Sequence, residues 1–156
     1  MAERKPATQN VVCVHRRARY DYEILDKVEM GLVLAGSEVK ALREGKGNLT
    51  DAYVMFRGGR PVIHNFEISP YSHDRSSELD TRRTRKLLLN ASEIRRIQAK
   101  TAEKGLSMIP LSIYFKGPWA KVEVGLGRGK RHRDKRQDIR KREAQRDIDR
   151  ESRRRR

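Results

Sequence analysis

Residues 128–156 hold 15 lysines and arginines against 6 aspartates and glutamates, a net of +9 over 29 positions, and their only aliphatic side chains are Ile139, Ala144 and Ile148. Ordering a backbone costs about 1–2 kcal/mol per residue, which three scattered apolar groups cannot offset. Any core must therefore come from the residues before this segment, which carry 22 basic against 15 acidic side chains. A chain of that length has room for one domain around one core. The sequence divides into a polar, flexible N-terminus (1–10), a folded domain (11–127) and a basic tail (128–156).

The tail nonetheless contains the makings of a helix. Neither proline nor glycine follows Gly129, and Asp138 with Arg142 and Asp149 with Arg153 stand four residues apart, where a pair adds a few tenths of a kcal/mol to a helix. The expectation is a segment unfolded alone that turns helical against an anionic partner. A solvated basic tail is the plainer reading of the same residues, and the run Arg153–Arg156 fits both.

Net charge over the whole chain is +16, well beyond what solubility requires, so the partner is expected to be a polyanion. Composition alone leaves RNA, DNA and an anionic membrane surface open. No stretch approaches the roughly 20 apolar residues of a spanning helix, and Met1–Asn10 lacks the apolar run of a secretory signal. A soluble, cytoplasmic protein without membrane attachment is expected. Cys13 is the only cysteine, which rules out an internal disulfide and a cysteine-based zinc site. It lies in Val-Val-Cys-Val and reads as a small buried apolar residue. Neither heptads nor a long apolar stripe suggests a face for a second copy, so a monomer is expected.

The folded part reads as short strands separated by turn residues. Tyr20, Tyr22 and Ile24 alternate with charged residues, so Arg19 to Leu34 reads as one long strand or two with a bend. Ser37 with Lys40 to Arg43 suggests a short helix that buries Val39 and Leu42 and ends at Gly45 and Gly47. Tyr53–Phe56 and Pro61–Phe66 flank Gly58-Gly59, a dipeptide suited to a tight hairpin. Residues 72–86 are polar and read as a loop. Asn90 followed by Glu93 is a capping-box signature for a helix carrying Ile94, Ile97 and Thr101 on one face and stopping at Gly105. Met108–Phe115 and Trp119–Leu126 read as a second hairpin through Gly117-Pro118. The fold class is mainly β with flanking short helices, a small closed barrel of the oligonucleotide-binding type followed by the basic tail.

Catalytic constellations are sparse. His15, His64, His73 and His132 have no metal-ligand spacing, and close histidine–acid neighbours include His64 with Glu67 and His73 with Asp74. Gly125-Leu-Gly-Arg-Gly-Lys130 resembles a phosphate-cradling loop but has Val124 and Arg131 where a Walker motif needs glycine and a hydroxyl residue. Binding signals are richer. Arg82-Arg83-Thr84-Arg85-Lys86 adjoins Leu87-Leu88-Leu89, which joins guanidinium forks suited to phosphates to leucines that either carry a base or anchor the segment in the core. Arg16, Arg17 and Arg19 precede Tyr20 and Tyr22, and Lys116 and Lys121 flank the last turn near Tyr114 and Trp119. Rings beside cations serve stacking on RNA, although most rings in so aromatic-poor a chain belong to the core.

Several strings resemble the SsrA-binding (small protein B) family, in that family's order. They are Ala18-Arg-Tyr-Asp-Tyr22, Gly36-Ser-Glu-Val-Lys-Ala-Leu-Arg43, Asp51-Ala-Tyr-Val54, Arg83-Thr-Arg-Lys-Leu-Leu-Leu89, Pro110–Lys116, and Gly129-Lys130 through Asp134-Lys-Arg136. The resemblance implies a non-enzymatic, cofactor-free adaptor that grips the tRNA-like domain of transfer-messenger RNA and delivers it to stalled 70S ribosomes for trans-translation. It implies RNA contacts at Glu29 and Leu88, a second RNA patch at Gly129, Lys130 and Arg131, and a tail starting at Asp134, Lys135 and Arg136. That tail would lie helical in the empty mRNA channel beside the decoding centre, bringing His132, Arg133, Arg140, Lys141, Arg142 and Ile148 to ribosomal RNA. His15 stands where many members carry asparagine, and Arg133 stands where histidine or tyrosine is common. The RNA-facing set expected on the barrel is His15, Arg16, Arg17, Arg19, Glu29, Arg83, Thr84, Arg85, Lys86, Leu88 and Lys121. A ribosomal protein or generic basic RNA chaperone, and from another class a small RNA-modifying enzyme, are the competing readings.

Overall fold

The computed structural model describes residues 10–73 and 79–154, without the side chains of residues 104, 132, 133 and 154. The flexible N-terminus expected over 1–10 lies outside the described residues except for Asn10, as do residues 74–78 of the 72–86 loop, including the Asp74 neighbour of His73. In chain order the elements are β1 (Asn10–Val14), α1 (Ala18–Asp21), β2 (Tyr22–Leu32), α2 (Gly36–Arg43), β3 (Gly47–Asn48), β4 (Tyr53–Arg57) and β5 (Arg60–His64). They continue with β6 (Glu67–Ile68), β7 (Arg85–Leu88), α3 (Ala91–Lys104), β8 (Ser107–Lys116), β9 (Trp119–Gly129) and α4 (His132–Arg154).

The sheet runs β8-β4-β5-β7-β2-β9 and returns to β8, so it closes into a barrel and leaves no free edge within the ring. Strand β8 serves two neighbours along one edge, pairing Met108 with Val54 of β4 and Ile113 with Cys13 of β1. Closure also requires β2 and β9 to cross closely. A Cβ on Gly127 would lie 2.3 Å from the Glu23 carbonyl oxygen, and one on Gly125 would lie 3.1 Å from Ile24 and Leu111. Gly125 and Gly127, two of the three glycines that imitate a phosphate loop, are therefore there for strand packing, whereas a Cβ on Gly129 would meet nothing within 4 Å.

Both hairpins form as expected. Gly58 and Gly59 have φ of +59° and +76°, the left-handed values a two-residue turn between twisted strands requires. Gly105 stops α3 in the left-handed conformation. Asn90 occupies the N-cap of α3, but its side chain makes no capping hydrogen bond, so the expected capping box is not closed. Asn90 is exposed, and water can take the helix's first donors. The stretch Arg19–Leu34 is not strand throughout. Tyr20 and Asp21 donate their N–H groups to the Arg17 carbonyl at 3.0 Å, making one helical turn that seats Ala18 in a small side cluster with Ile109 and Leu111 before β2 begins.

The main core gathers Met30, Leu42, Leu49, Ile63, Phe66, Ile97, Ile113, Val122, Val124 and Leu126, and among the described side chains none from α4. Cys13 is buried as expected, and burial pushes its thiol pKa up against hydrogen bonds from the Leu49 and Val14 backbone. Of the two α2 residues expected inside, Leu42 is buried and Val39 only partly so. The other α2 side chains inside are Ala41 and a carboxylate, Glu38.

Candidate nucleic-acid interface

Strand β7 sorts the basic–leucine segment by the two-residue period of a strand. Arg85 and Leu87 point inward, while Lys86 and Leu88 point out. Arg85 is fully buried, and its Nε–H donates to Glu38 Oε2 at 2.6 Å. Its other donors go to the carbonyls of Phe66, Arg83 (3.2 Å) and Thr81 (3.1 Å). Arg83 also grips Glu38 with two hydrogen bonds, one at 3.2 Å through Nε. The expectation that Arg85 takes an RNA phosphate is thus corrected, because it is fully buried and its donors are satisfied inside the protein, while Arg83, held to the same carboxylate, keeps a side chain 30% exposed.

Glu38 completes this cluster by accepting the Ala35 N–H at 2.9 Å, at the N-terminus of α2. Burial pushes its pKa up, but the hydrogen bonds from Arg83, Ala35 and Arg85 outweigh that, and the carboxyl is held below its ordinary value. Two of the strings that carry the family resemblance, one around Glu38 and one around Arg83–Arg85, are therefore halves of a single buried ion cluster.

On the outer face the picture reverses. Leu88 is 60% exposed although it is a leucine in a paired strand. Its partner in register is Gly31, whose missing side chain leaves room beside it, since a Cβ there would lie 3.2 Å from that of Leu88. Next to Gly31 comes Lys121 of β9. Glu29, Gly31, Leu88, Trp119 and Lys121 line one groove of about 360 Å³. Trp119 is 69% exposed at the end of the hairpin, a ring free to stack. Its neighbours Lys116 and Lys121 are the sequence signal that points to a stacking ring.

Glu29 is an unusual member of an anion-binding face. Lys116 Nζ lies 2.7 Å from its carboxylate and the Tyr114 hydroxyl donates to it. Partial burial pushes the Glu29 pKa up, and the Lys116 and Tyr114 hydrogen bonds pull it down further, for a net lowering. Burial and the same bond push the Tyr114 phenol well up. Glu29 thus holds an ammonium and a phenol beside the groove it lines.

The N-terminal basic residues lie elsewhere. His15, Arg16 and Arg17 border a separate depression beside Gly47–Thr50, and the His15 Nδ1–H donates to the Pro110 carbonyl at 3.0 Å. Arg19 lies with Lys130 at the mouth of a third depression, next to Tyr22 and Glu23.

At that corner α4 leaves the barrel. The Lys130 N–H donates to the Asp21 carbonyl at 2.8 Å, Lys130 Nζ pairs with Asp138, and Lys135 Nζ lies 3.2 Å from the Asp21 carboxylate. Tyr20 has three cations near its face, Lys135 at 5.5 Å and Arg17 and Arg142 at 6.0 Å. The Asp138–Arg142 pair expected in the tail is not an ion pair within hydrogen-bonding reach, and Asp149 accepts instead from Gln145 at 3.0 Å. Beyond this corner the helix projects into solvent. Asp134, Arg136, Arg140, Lys141 and Ile148 are exposed, as are Gly129 and Arg131 just before it, while the His132 and Arg133 side chains lie outside those described.

Among the described residues, His64 and His15 are engaged in structural contacts. His64 stacks on Tyr53 with ring centroids 5.1 Å apart and shares a 3.1 Å hydrogen bond with Thr84, not with Glu67, which pairs with Arg82 at 3.1 Å. Among the described residues no cluster of ligands could hold a metal ion, and no helix is long and apolar enough to cross a membrane.

Residues 12–154 match the family model described as SmpB protein. The "SsrA-binding protein" of Salinispora tropica is 49% identical over 140 residues, covering 90% of this chain and 88% of its own length. The protein of the same description from Syntrophobacter fumaroxidans is 45% identical over 159 residues, covering 100% and 99%. A solved chain described as "tmRNA-SmpB: a journey to the center of the bacterial ribosome" is 43% identical, with a TM-score of 0.64, covering 87% of this chain and 96% of that one.

Proposed function

The chain belongs to the SmpB protein family, and from that premise we propose a division of labour between its barrel and its terminal helix. The protein binds transfer-messenger RNA and acts in trans-translation on the ribosome. The barrel takes the tRNA-like part of the RNA in the groove of Glu29, Leu88, Trp119 and Lys121, with the leucine and tryptophan offering apolar and stacking surface and Lys116 and Lys121 offering charge. Helix α4, about 34 Å long at 1.5 Å per residue, reaches into the empty mRNA channel beside the decoding centre, where Arg136, Arg140, Lys141 and Arg142 meet ribosomal RNA. Among the described side chains that helix meets the barrel corner through Lys135 and Arg142 of its first three turns. The protein is an adaptor of the cytoplasm and performs no chemistry, since peptidyl transfer belongs to the ribosome.

One observation carries this reading. An exposed leucine, an exposed tryptophan and Lys121 line one groove with Lys116 held beside it on Glu29, while no described side chain of α4 joins the core and the helix projects away from its corner. The barrel can therefore be tested without the helix. Gel-shift binding at physiological salt, with transfer-messenger RNA against an equal mass of ordinary tRNA, is expected to show preference for the former by the full chain and by a version ending at Gly129. Only the full chain is expected to support tagging in a stalled translation assay. Equal and steeply salt-sensitive binding to both RNAs would favour a general basic RNA binder and overturn the proposal.

A further inference from the structure

Around Leu88 the groove opens into a second and larger depression, about 880 Å³ against about 360 Å³, lying between the outer face of β4, β5 and β7 and helix α3. Its rim is basic, with Arg57, Arg60, Lys86 and Arg95, and no acidic side chain lines it. Register puts Arg57 directly opposite Arg60 and Lys86 opposite Val62. Like charges facing each other across strands destabilise a hairpin. Among the described residues, none of these four cations forms a salt bridge with a carboxylate, in contrast to Arg82, Arg83 and Arg85 nearby. The floor is apolar, made by Val62, Leu88 and Ile94. A cationic rim over an apolar floor suits a strand that carries phosphates outside and can turn a base inward, and the guanidinium planes can stack as well as pair.

From this charge complementarity and from continuity through Leu88, we infer that this depression extends the RNA surface and holds an unpaired stretch of the bound RNA. Phosphates lie on Arg57, Arg60, Lys86 and Arg95, and a base rests on Val62, Leu88 and Ile94. The inference builds on the RNA-binding reading above and adds three arginines that no sequence pattern singled out.

Full-length Arg57→Gln/Arg60→Gln/Arg95→Gln is to be compared with Arg146→Gln/Arg150→Gln/Arg153→Gln, which loses the same charge from α4, and with Leu88→Asp. Binding of transfer-messenger RNA is measured against salt concentration. Each phosphate that the protein no longer neutralises lowers the slope of log K against log salt by roughly 0.7–0.9. The groove variant is therefore expected to lose about 2 units of slope, with weaker binding and a thermal melt no lower than the parent's, since the Arg57–Arg60 repulsion is removed, and the α4 variant is expected to change much less. An unpaired hexanucleotide is expected to bind the parent protein better than a duplex of the same length, and the groove variant is expected to lose that binding. Equal slope losses from the groove and α4 variants, or no preference for the unpaired probe, would overturn the inference. Weakening by Leu88→Asp with an intact groove variant would overturn it while leaving the RNA-binding reading in place, whereas loss from neither would remove both. Intact RNA binding with failed tagging in the groove variant would overturn it too, and would assign the depression to an acidic protein segment instead.

Discussion

Two carboxylates in this molecule each engage basic side chains, and their surroundings make them different devices. Glu38 is 6% exposed and joins Arg83 of the loop and Arg85 of β7 to the start of α2. Asp21, whose side chain is 32% exposed, holds Lys135 of α4 and stands 4.0 Å from Arg17. Attraction between charges grows as water is excluded, and so does the cost of leaving one of them alone. The buried cluster therefore ties Arg83, β7 and α2 together, while the exposed one pins the first turns of α4 through contacts that water weakens.

The largest effect that could break this contrast is the loss of Glu38. Glu38→Ala leaves the Arg85 guanidinium buried without its counter-ion, which typically costs about 3–5 kcal/mol. Urea unfolding followed by tryptophan fluorescence is expected to show a midpoint far below that of the parent chain. A shift no larger than that of a surface substitution would mean the cluster does not organise the barrel. Acid sharpens the same point. The folded-state pKa of Glu38 lies below its unfolded value near 4.5, so its contribution is fully present above that value and is lost as pH falls through the folded pKa. The stability gap between the parent and Glu38→Gln is expected to close progressively below pH 4.5.

An intermediate effect is expected on the other side of β7. Leu88→Asp places a negative charge where RNA is proposed to lie, and affinity for transfer-messenger RNA is expected to fall by at least tenfold, or about 1.4 kcal/mol. The thermal melt is expected to move little, because the side chain is already in water. Leu87→Asp, one residue away and buried, should instead unfold the protein. If both variants fold and bind alike, the inward–outward sorting of the strand is wrong.

This strand also shows how far sequence could be read. Turn glycines and apolar runs expose the hairpins, helix α3 and the β character of the domain, because φ above zero and alternation leave marks on residue choice. What Arg83, Arg85 and Lys86 do cannot be read the same way. All three are cations in one run, and which faces water depends on where β7 starts and on Glu38, 47 positions from Arg85. Leu88 and Trp119 had the same difficulty, since apolar residues are assigned inside by default. The groove at Arg57, Arg60 and Arg95 draws on three separate elements, and only the register of β4, β5 and β7 and the placement of α3 bring them together.

The smallest effect tests the exposed cluster. Asp21→Asn removes the carboxylate under Lys135 but keeps the backbone carbonyl that accepts the Lys130 N–H. Exposed pairs are worth about 0–1 kcal/mol, and salt weakens them further. Amide exchange at residues 133–138, the first turns of α4, is expected to speed up by no more than about fivefold, with the urea midpoint of the barrel and its RNA affinity unchanged. Raising the salt of the parent protein towards 1 M is expected to reproduce the change, as the screening length then falls to about 3 Å. Faster exchange confined to α4 is what a releasable helix requires. A simultaneous loss of protection in β2 and β9 would mean that the corner at Asp21 unfolds together with the barrel, and the two carboxylates would then belong to one cooperative unit.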